Sequence, residues 1–210
     1  MLLFTDLGKS PYEKTWNLQK IMQRQRINNE IHDTVLFVEH EPVYTFGKNA
    51  NEDHLLQNYP TDVKLFHIER GGDITFHGPG QLVGYPILDL HRYQLSISWY
   101  MRSLEEVVIQ TLRKFNIKAE RKSDLTGVWV KNEKIAALGV RISRWVTMHG
   151  FALNVNTDLS YYENIIPCGI FNYGVTSMEK FLKKEQDMEK VKKVLISVFS
   201  EVFQSKMVSG

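Results

Sequence analysis

The sequence predicts an α+β fold in which helices cover a mixed, largely antiparallel sheet. Short strand-like runs come in two blocks and are separated by Gly, Pro, Asn or Asp. Segments with helix signals stand before, between and after these blocks. Blocks of strands and helices, rather than strict alternation, are typical of α+β proteins. At 210 residues, without repeats or a linker, the chain suits one hydrophobic core, so we expect a single domain over residues 1–210 and a monomer.

The first elements are a strand and a helix. Residues 2–7 are predicted to form a short strand. A capping serine, Ser10, is followed by Pro11 and then by Glu13, the order of a capping box. We therefore expect a helix from this point to about Ile31.

The first block of strands fills most of the following stretch. Its runs are rich in β-branched and aromatic residues and are bounded by turn-forming residues. The predicted strands are Thr34 to Glu39, Val43 to Phe46, Val63 to Ile68, Ile74 to Phe76 and Leu82 to Leu88.

The second half begins and ends with a helix. Ser98 to Phe115 has apolar residues at helical spacing and should cover the sheet. Val128 to Val140 reads as two strands joined by a turn at Asn132-Glu133, and Arg141 to Val155 continues with strand character. An amphipathic pattern from Val191 to Phe203 predicts the last helix.

Bulk properties exclude several classes of protein. A formal net charge of +2 is too small to indicate nucleic-acid binding. The apolar runs are too short or too polar to cross a bilayer, and the first residues lack the basic lead-in of a targeting signal, so we expect a cytoplasmic protein. A single cysteine excludes an intrachain disulfide and a several-cysteine zinc site. The histidines have no ligand spacing, so we expect no metal.

Glycine is concentrated between Arg70 and Tyr85, which hold five of the 13 glycines. The segment lacks the Gly-Lys-Ser/Thr of a phosphate loop and has Val83 where a dinucleotide fingerprint needs glycine. It is either a backbone cradle for an extended substrate or a tight hairpin.

Cys168, in Asn164-Ile-Ile-Pro-Cys-Gly-Ile170, is a candidate nucleophile, because a turn between proline and glycine would present its thiol. A lone cysteine is also often a small buried hydrophobe. A thiol with a pKa of about 8.5 is mostly protonated at neutral pH, so catalysis would require a cationic or basic neighbour.

Lys134 is the strongest candidate for that neighbour, and the histidines are others. It stands in Glu133-Lys-Ile-Ala-Ala-Leu-Gly139, where the following residues are small and apolar. Partial desolvation would suit this amine both to hold a thiolate and to take a proton. The alternative is a solvated hairpin lysine beside Lys131.

Four motifs in order resemble the signatures of the lipoyl(octanoyl) transferases of lipoate biosynthesis. They are Arg70-Gly-Gly-Asp-Ile-Thr-Phe-His-Gly-Pro-Gly-Gln-Leu-Val-Gly-Tyr85, Glu133-Lys-Ile-Ala-Ala-Leu-Gly139, Met148-His-Gly-Phe-Ala-Leu-Asn-Val155 and Ile166-Pro-Cys-Gly169. The resemblance covers most of the chain, from His40 to about Ser177.

The resemblance implies a fold shared with the catalytic domains of biotin and lipoate protein ligases. It implies an acyltransferase that moves an octanoyl group from acyl carrier protein to a lysine of a lipoyl domain, the first step of endogenous protein lipoylation. The implied acceptors are E2 subunits of 2-oxoacid dehydrogenases and the glycine-cleavage H protein. No cofactor is implied, because the octanoyl group arrives on the carrier's phosphopantetheine.

The resemblance also implies residue roles. Cys168 corresponds to the acyl-thioester nucleophile, and Lys134 to the residue that lowers its pKa. The implied substrate-binding residues are Arg70, Gly71, Gly72, Asp73, Ile74, Thr75, Phe76, His77, Ala137, Leu138, Gly139, Gly150, Phe151 and Ala152. We further expect His40, His149 and Gln81 to line the site.

Two other functions fit parts of the sequence. An ATP-dependent lipoate or biotin ligase would share the fold but would need no nucleophilic cysteine. A non-catalytic module that binds acylated carrier or lipoyl domains would leave Cys168 unreactive.

Overall fold

The structure is a computed structural model that describes residues 1–166 and 173–204. The strands in this part are β1 (Leu2–Lys9), β2 (Asp33–Glu39), β3 (Val43–Phe46), β4 (Lys64–His67), β5 (Thr75–His77), β6 (Gln81–Ile87), β7 (Glu120–Lys122), β8 (Leu125–Val130), β9 (Glu133–Ser143), β10 (Val146–Asn154) and β11 (Gly174–Val175). The α-helices are α1 (Tyr12–Ile27), α2 (Ile97–Lys114), α3 (Met178–Leu182) and α4 (Met188–Gln204). Short 3₁₀ helices span Glu52–His54, Leu90–Arg92 and Leu159–Asn164.

The main sheet has the order β1-β2-β6-β10-β9-β8-β7, and β11 pairs with β9 outside this path. The β1–β2 and β11–β9 pairs are parallel, and the other pairs are antiparallel. A small second sheet has the order β4-β3-β5. The predicted α+β class with a mixed, largely antiparallel sheet is therefore confirmed.

Alternating side chains of β2 show how helices cover both faces of the main sheet. Val35 and Phe37 belong to the large core cluster that includes residues of α2 and α4. Leu36 and Val38 face the other way, into a cluster with Leu18 of α1. This period-two alternation is what a strand buried on both faces requires.

The first helix differs from its prediction at both ends. Pro11 occupies the N-cap position without a side-chain hydrogen bond, and the helix ends at Ile27, so the predicted capping box and the end at Ile31 are wrong. The backbone N–H of Ser10 donates to the Glu39 carbonyl, and its hydroxyl accepts a hydrogen bond from Thr15 instead of capping the helix.

Most other elements agree with their predictions to within a few residues. Position 131 adopts a positive φ of 55° at the turn between β8 and β9. A second turn at Arg144 and Trp145, both also at positive φ, divides the continuous strand character predicted from Arg141 onward. The short elements β7, β11 and α3 were not predicted, since each has too few residues to display a period.

None of the helices in the described ranges is long and apolar enough to traverse a lipid bilayer.

Candidate active site

A cavity of about 700 Å³ lies between the main sheet and the glycine-rich segment. Strands β6, β9 and β10 contribute to its wall, and residues before and within β5 contribute the other side. The sequence-predicted residues that line it are Arg70, Gly71, Gly72, Asp73, Ile74, Thr75, His77, Lys134, Ala137, Leu138, Gly139, His149, Gly150, Phe151 and Ala152.

Three predicted residues do not line the cavity. Phe76 is buried in a core cluster and stacks on Tyr161 with ring centroids 4.5 Å apart. His40 and Gln81 lie one layer behind the wall, where they bond to the lining residues Tyr85 and His77. Their contact with the cavity is therefore indirect.

Cys168 lies outside the described residues, but the structure describes its neighbours on both sides. Before it, the N–H of Ile166 donates to the His54 carbonyl at 2.8 Å. After it, Val175 pairs with Lys134, and the N–H of Thr176 donates to the Lys134 carbonyl at 3.0 Å. His54, Lys134 and Val175 all line the cavity.

Lys134 is buried, with 9% of its surface exposed, whereas Lys131 is exposed. Its ammonium lies 4.9 Å from the centre of the Trp129 ring, a distance at which the ring face attracts a cation. Gly127 lies against its stem, because a Cβ added there would be 3.3 Å from the Lys134 Cε. The predicted partial desolvation of Lys134 is confirmed, and the alternative of a solvated hairpin lysine is excluded.

The glycine-rich segment docks on β9 by backbone contact. The N–H of Gly71 donates to the Val140 carbonyl at 2.9 Å. A Cβ added at Gly139 would come within 2.8 Å of the Gly71 carbonyl oxygen, so this close approach requires glycine. The buried side chain of Arg70 anchors the segment, because it donates to the backbone and hydroxyl oxygens of Thr45 at 2.6 and 2.9 Å.

His77 is fixed as a neutral ring. Its Nδ1 lies 2.8 Å from the Gln81 Oε1, and the Gln81 amide donates to Asn154 and to the Phe76 carbonyl, so Nδ1 is the nitrogen that donates. Burial, together with the nearby His40 and Arg70, lowers the pKa of His77 to about 3. His77 therefore offers the cavity an uncharged imidazole.

His149 also stays neutral, and its backbone has a conformation that residues other than glycine rarely adopt. It has a φ of 60° within β10, and its N–H donates to the Gln19 Oε1 of α1 at 2.9 Å. Burial, followed by the charges of Arg70, Arg141 and Lys20, lowers its pKa to about 3. Such strain is often held at functional sites by the surrounding structure.

The sequence did not predict the histidine–aspartate pair that lines the cavity. The Nδ1 of His54 lies 2.5 Å from an Asp73 carboxylate oxygen, and the other oxygen accepts the N–H of Ile74 at 2.7 Å. Asp73 was expected in the site, but His54 stands in a polar stretch that carries no periodic signal. Tyr12 and Tyr85 also line the cavity and were assigned no role.

The described ranges contain no group of three or more His, Cys, Asp or Glu side chains placed to hold a metal ion.

Comparison with known proteins shows the family to which this chain belongs. The family model described as the lipoyl protein ligase A/B catalytic domain matches residues 11–200. An octanoyltransferase of Gloeobacter violaceus is 45% identical over 96% of this chain and 90% of its own length. One from Rubrobacter xylanophilus is 47% identical, covering 93% of this chain and 90% of the relative. The chain spans only 44% of a longer octanoyltransferase of Porphyromonas gingivalis, to which it is 44% identical.

Solved structures share the fold at low sequence identity. A bipartite lipoate protein ligase from Thermoplasma acidophilum superposes with a TM-score of 0.69 at 18% identity, over 96% of this chain and 84% of the other. A biotin protein ligase from Aquifex aeolicus gives 0.55 at 14% identity, over 98% and 70%. The chain therefore belongs to the lipoyl protein ligase A/B catalytic domain family and, within it, to the octanoyltransferases.

Proposed function

We propose that this protein transfers an octanoyl group from the phosphopantetheine of acyl carrier protein to the ε-amine of a specific lysine on lipoyl domains. The acceptors are the lipoyl domains of 2-oxoacid dehydrogenase E2 subunits and the glycine-cleavage H protein. The group passes through a thioester on Cys168, with Lys134 as the assisting amine. The names of relatives 41–47% identical to the chain support octanoyl transfer, and the resemblance of the motifs supports the residue roles.

The position of Lys134 is the observation that carries this proposal. A buried ammonium in a cavity wall is a strong electrostatic partner for an anion. On one side of Cys168, Ile166 donates to the carbonyl of the cavity residue His54. On the other side, Val175 pairs with Lys134, and Thr176 donates to the Lys134 carbonyl. The residues that flank Cys168 on both sides therefore contact the cavity that contains the Lys134 amine.

In the first half-reaction, the Lys134 ammonium stabilises the Cys168 thiolate. The sulfur attacks the thioester carbonyl of octanoyl carrier protein, and the bond from that carbonyl to the pantetheine sulfur breaks. The departing sulfur takes a proton from Lys134. The products are the octanoyl-enzyme, the free pantetheine thiol and a neutral Lys134.

In the second half-reaction, the acceptor lysine attacks as a neutral amine after losing a proton to water. Its nitrogen forms an amide with the octanoyl carbonyl, and the bond to the Cys168 sulfur breaks. Lys134 takes the proton released from the attacking nitrogen, which regenerates the ammonium and the thiolate. Since an amide is more stable than a thioester, the sequence of steps requires neither ATP nor another cofactor.

The cavity wall suits the octanoyl chain. Val83, Leu138, Phe151 and Ala152 provide apolar surface along the strands. Burial of about six methylenes at ~0.8 kcal/mol each would contribute on the order of 5 kcal/mol. This contribution favours medium chains over acetyl groups.

Intact-mass measurement after mixing the protein with octanoyl carrier protein tests the proposal. We expect a hydroxylamine-sensitive octanoyl adduct on Cys168, and its transfer to an added lipoyl domain. The Cys168→Ser variant is the matched control and should form no such adduct. Transfer by active wild-type protein without an adduct would overturn the double displacement, and product from free octanoate and ATP alone would favour the ligase alternative.

A further inference from the structure

The second half-reaction begins with a proton that Lys134 does not remove. The acceptor lysine arrives as an ammonium, because a lysine side chain has a pKa of about 10.4. Only the neutral amine has the lone pair that attacks the octanoyl carbonyl. Lys134 takes the later proton, which is released by the nitrogen after its attack. A second base in the cavity would therefore accelerate the transfer.

His54 and Asp73 form a base of the required kind. Both residues line the cavity that contains Lys134. The Nδ1 of His54 lies 2.5 Å from Oδ2 of Asp73. Since an ionised carboxylate can only accept a hydrogen bond, Nδ1 carries the proton of the neutral ring and Nε2 carries the lone pair. No group in the described part of the chain forms a hydrogen bond to this Nε2.

The Asp73 carboxylate is itself held in place. Its Oδ1 accepts the backbone N–H of Ile74 at 2.7 Å and that of Asn51 at 3.3 Å. Asn51 is the N-cap of the short 3₁₀ helix that ends at His54, so this contact joins the helix to the glycine-rich segment. A base that is oriented by a fixed third group is the usual arrangement beside an activated nucleophile.

The backbone of His54 is bonded to the chain that leads to Cys168. Its carbonyl accepts the N–H of Ile166 at 2.8 Å, and Leu55 forms an antiparallel bridge with Ile165. Ile166 stands two residues before Cys168 in the sequence. The histidine therefore lies beside the chain just before the residue that carries the octanoyl group in the proposed function.

His54 also has access to solvent, which a base needs in order to release the proton it has taken. Its side chain is 22% exposed, and that of Asp73 is 11% exposed. Two other histidines that line the cavity, His77 and His149, are buried. Burial lowers the pKa of each of these rings to about 3, so they are weak bases at neutral pH. His54 is therefore the cavity histidine best suited to proton transfer.

We propose that His54 is the general base that deprotonates the acceptor lysine, with Asp73 as its positioning residue. This inference rests on the proposed function, because it concerns the acceptor of the same acyl group. The Nε2 of His54 takes a proton from the acceptor ammonium, which leaves a neutral amine and an imidazolium paired with the Asp73 carboxylate. The amine then attacks the octanoyl thioester, and the imidazolium gives its Nε2 proton to water. Lys134 takes the second proton, as in the proposed function.

Single-turnover measurements of the two half-reactions test this role. His54→Gln keeps a donor for Asp73 but cannot take a proton. From the preformed octanoyl-enzyme at pH 7, we expect this variant to transfer the octanoyl group to a lipoyl domain about 10²-fold more slowly than the wild type. Its formation of the octanoyl-enzyme from octanoyl carrier protein should be unchanged. Asp73→Asn should slow the transfer by a smaller factor, because it disturbs only the orientation of the base.

The pH dependence of transfer separates a base from a structural contact. As the pH rises from 7 toward about 10.4, more of the acceptor lysine is already neutral and needs no base. The deficit of His54→Gln relative to wild type should therefore shrink with rising pH. The other charged side chains that line the cavity are present in both proteins, so the difference reports on the histidine. They are Arg70, Asp73, Asp124 and Lys134.

His91 provides the matched control. Its Nδ1 lies 2.7 Å from Oδ1 of Asp89, so the chain contains a second histidine–aspartate pair. Neither residue of this pair lines the cavity. His91→Gln should therefore leave the rates of both half-reactions unchanged.

The outcomes separate this inference from the proposed function. Absence of an octanoyl adduct on Cys168 in the wild-type protein would contradict the proposed function itself. If the adduct forms, transfer at the wild-type rate by folded His54→Gln would overturn the role of His54. Equal slowing of both half-reactions, or a deficit that stays constant as the pH rises, would also overturn it, because a general disturbance of the site would then explain the effect.

Discussion

The hydroxyl of Tyr85 donates a hydrogen bond to Nε2 of His40 at 2.9 Å, in the layer directly behind the cavity wall. The Nδ1 of the same histidine lies 2.8 Å from the Ser10 carbonyl, to which it donates. Both ring nitrogens of His40 therefore form hydrogen bonds while the ring is neutral, with its single N–H proton on Nδ1. Burial lowers the pKa of His40 to about 4. The site is built around histidines that stay neutral in the folded protein.

Stability should fall as the pH is lowered from about 6.5. Burial lowers the folded-state pKa of His40 to about 4 and those of His77 and His149 to about 3. Below about pH 6.5 the unfolded chain binds protons that the folded protein does not, which costs about 1.4 kcal/mol per histidine per pH unit until the folded rings titrate. Urea unfolding between pH 4.5 and 7 measures this slope.

His40→Gln should reduce the pH dependence of the unfolding free energy by the equivalent of about one bound proton per molecule. A slope that is the same in wild type and His40→Gln would contradict the assignment of a neutral, buried His40.

Tyr85→Phe should destabilise the protein by about 1–3 kcal/mol, because His40 loses the donor to its buried Nε2. The matched control is Tyr59→Phe, since the Tyr59 hydroxyl makes no hydrogen bond within residues 1–166 and 173–204. Denaturant midpoints of both variants check the prediction. Equal stability of Tyr85→Phe and wild type would show that the hydrogen bond contributes nothing.

Lys134→Gln should slow both half-reactions by about 10²-fold or more, the usual contribution of a positioned acid–base group. It should also shift the pH profile of alkylation of Cys168, the single cysteine of the chain, toward higher pH. Lys131→Gln tests the exposed neighbour in the same hairpin and should change neither property. An unchanged alkylation profile in Lys134→Gln would remove Lys134 from its proposed role.

Gly139→Ala should impair octanoyl transfer by lifting the glycine-rich segment from β9. Its Cβ would come within 2.8 Å of the Gly71 carbonyl and 3.2 Å of the Arg70 Cδ. We expect a loss of about 1–3 kcal/mol of stability from the overpacking, and a rise in KM for octanoyl carrier protein. Ser143→Ala, on the same strand but outside the cavity lining, is the control, and an unaltered KM in Gly139→Ala would count against the docking contact.

Local patterns determined the main elements. The short apolar run in Thr34 to Glu39 and the helical spacing in Ser98 to Phe115 each predicted an element that the structure contains. The run suffices because a strand buried on both faces is apolar throughout, and the spacing suffices because a helix that covers a core must repeat its apolar residues. The α1 prediction failed at the start of the helix, since Ser10 bonds to Glu39 of a neighbouring strand instead of capping the helix. It failed at the end because Asn29 adopts a positive φ of 60°, which a helix cannot contain.

Sequence motifs also identified most residues of the cavity wall, from Arg70 to Thr75 and around Lys134, because the family's order of motifs is preserved in the chain. Only the tertiary structure determined that Lys134 is buried, that His54 meets Asp73, and that Tyr12 stacks on His77. These relationships join residues far apart in the chain. They depend on strand order and on how α1 packs, and neither is encoded in the local spacing of residues.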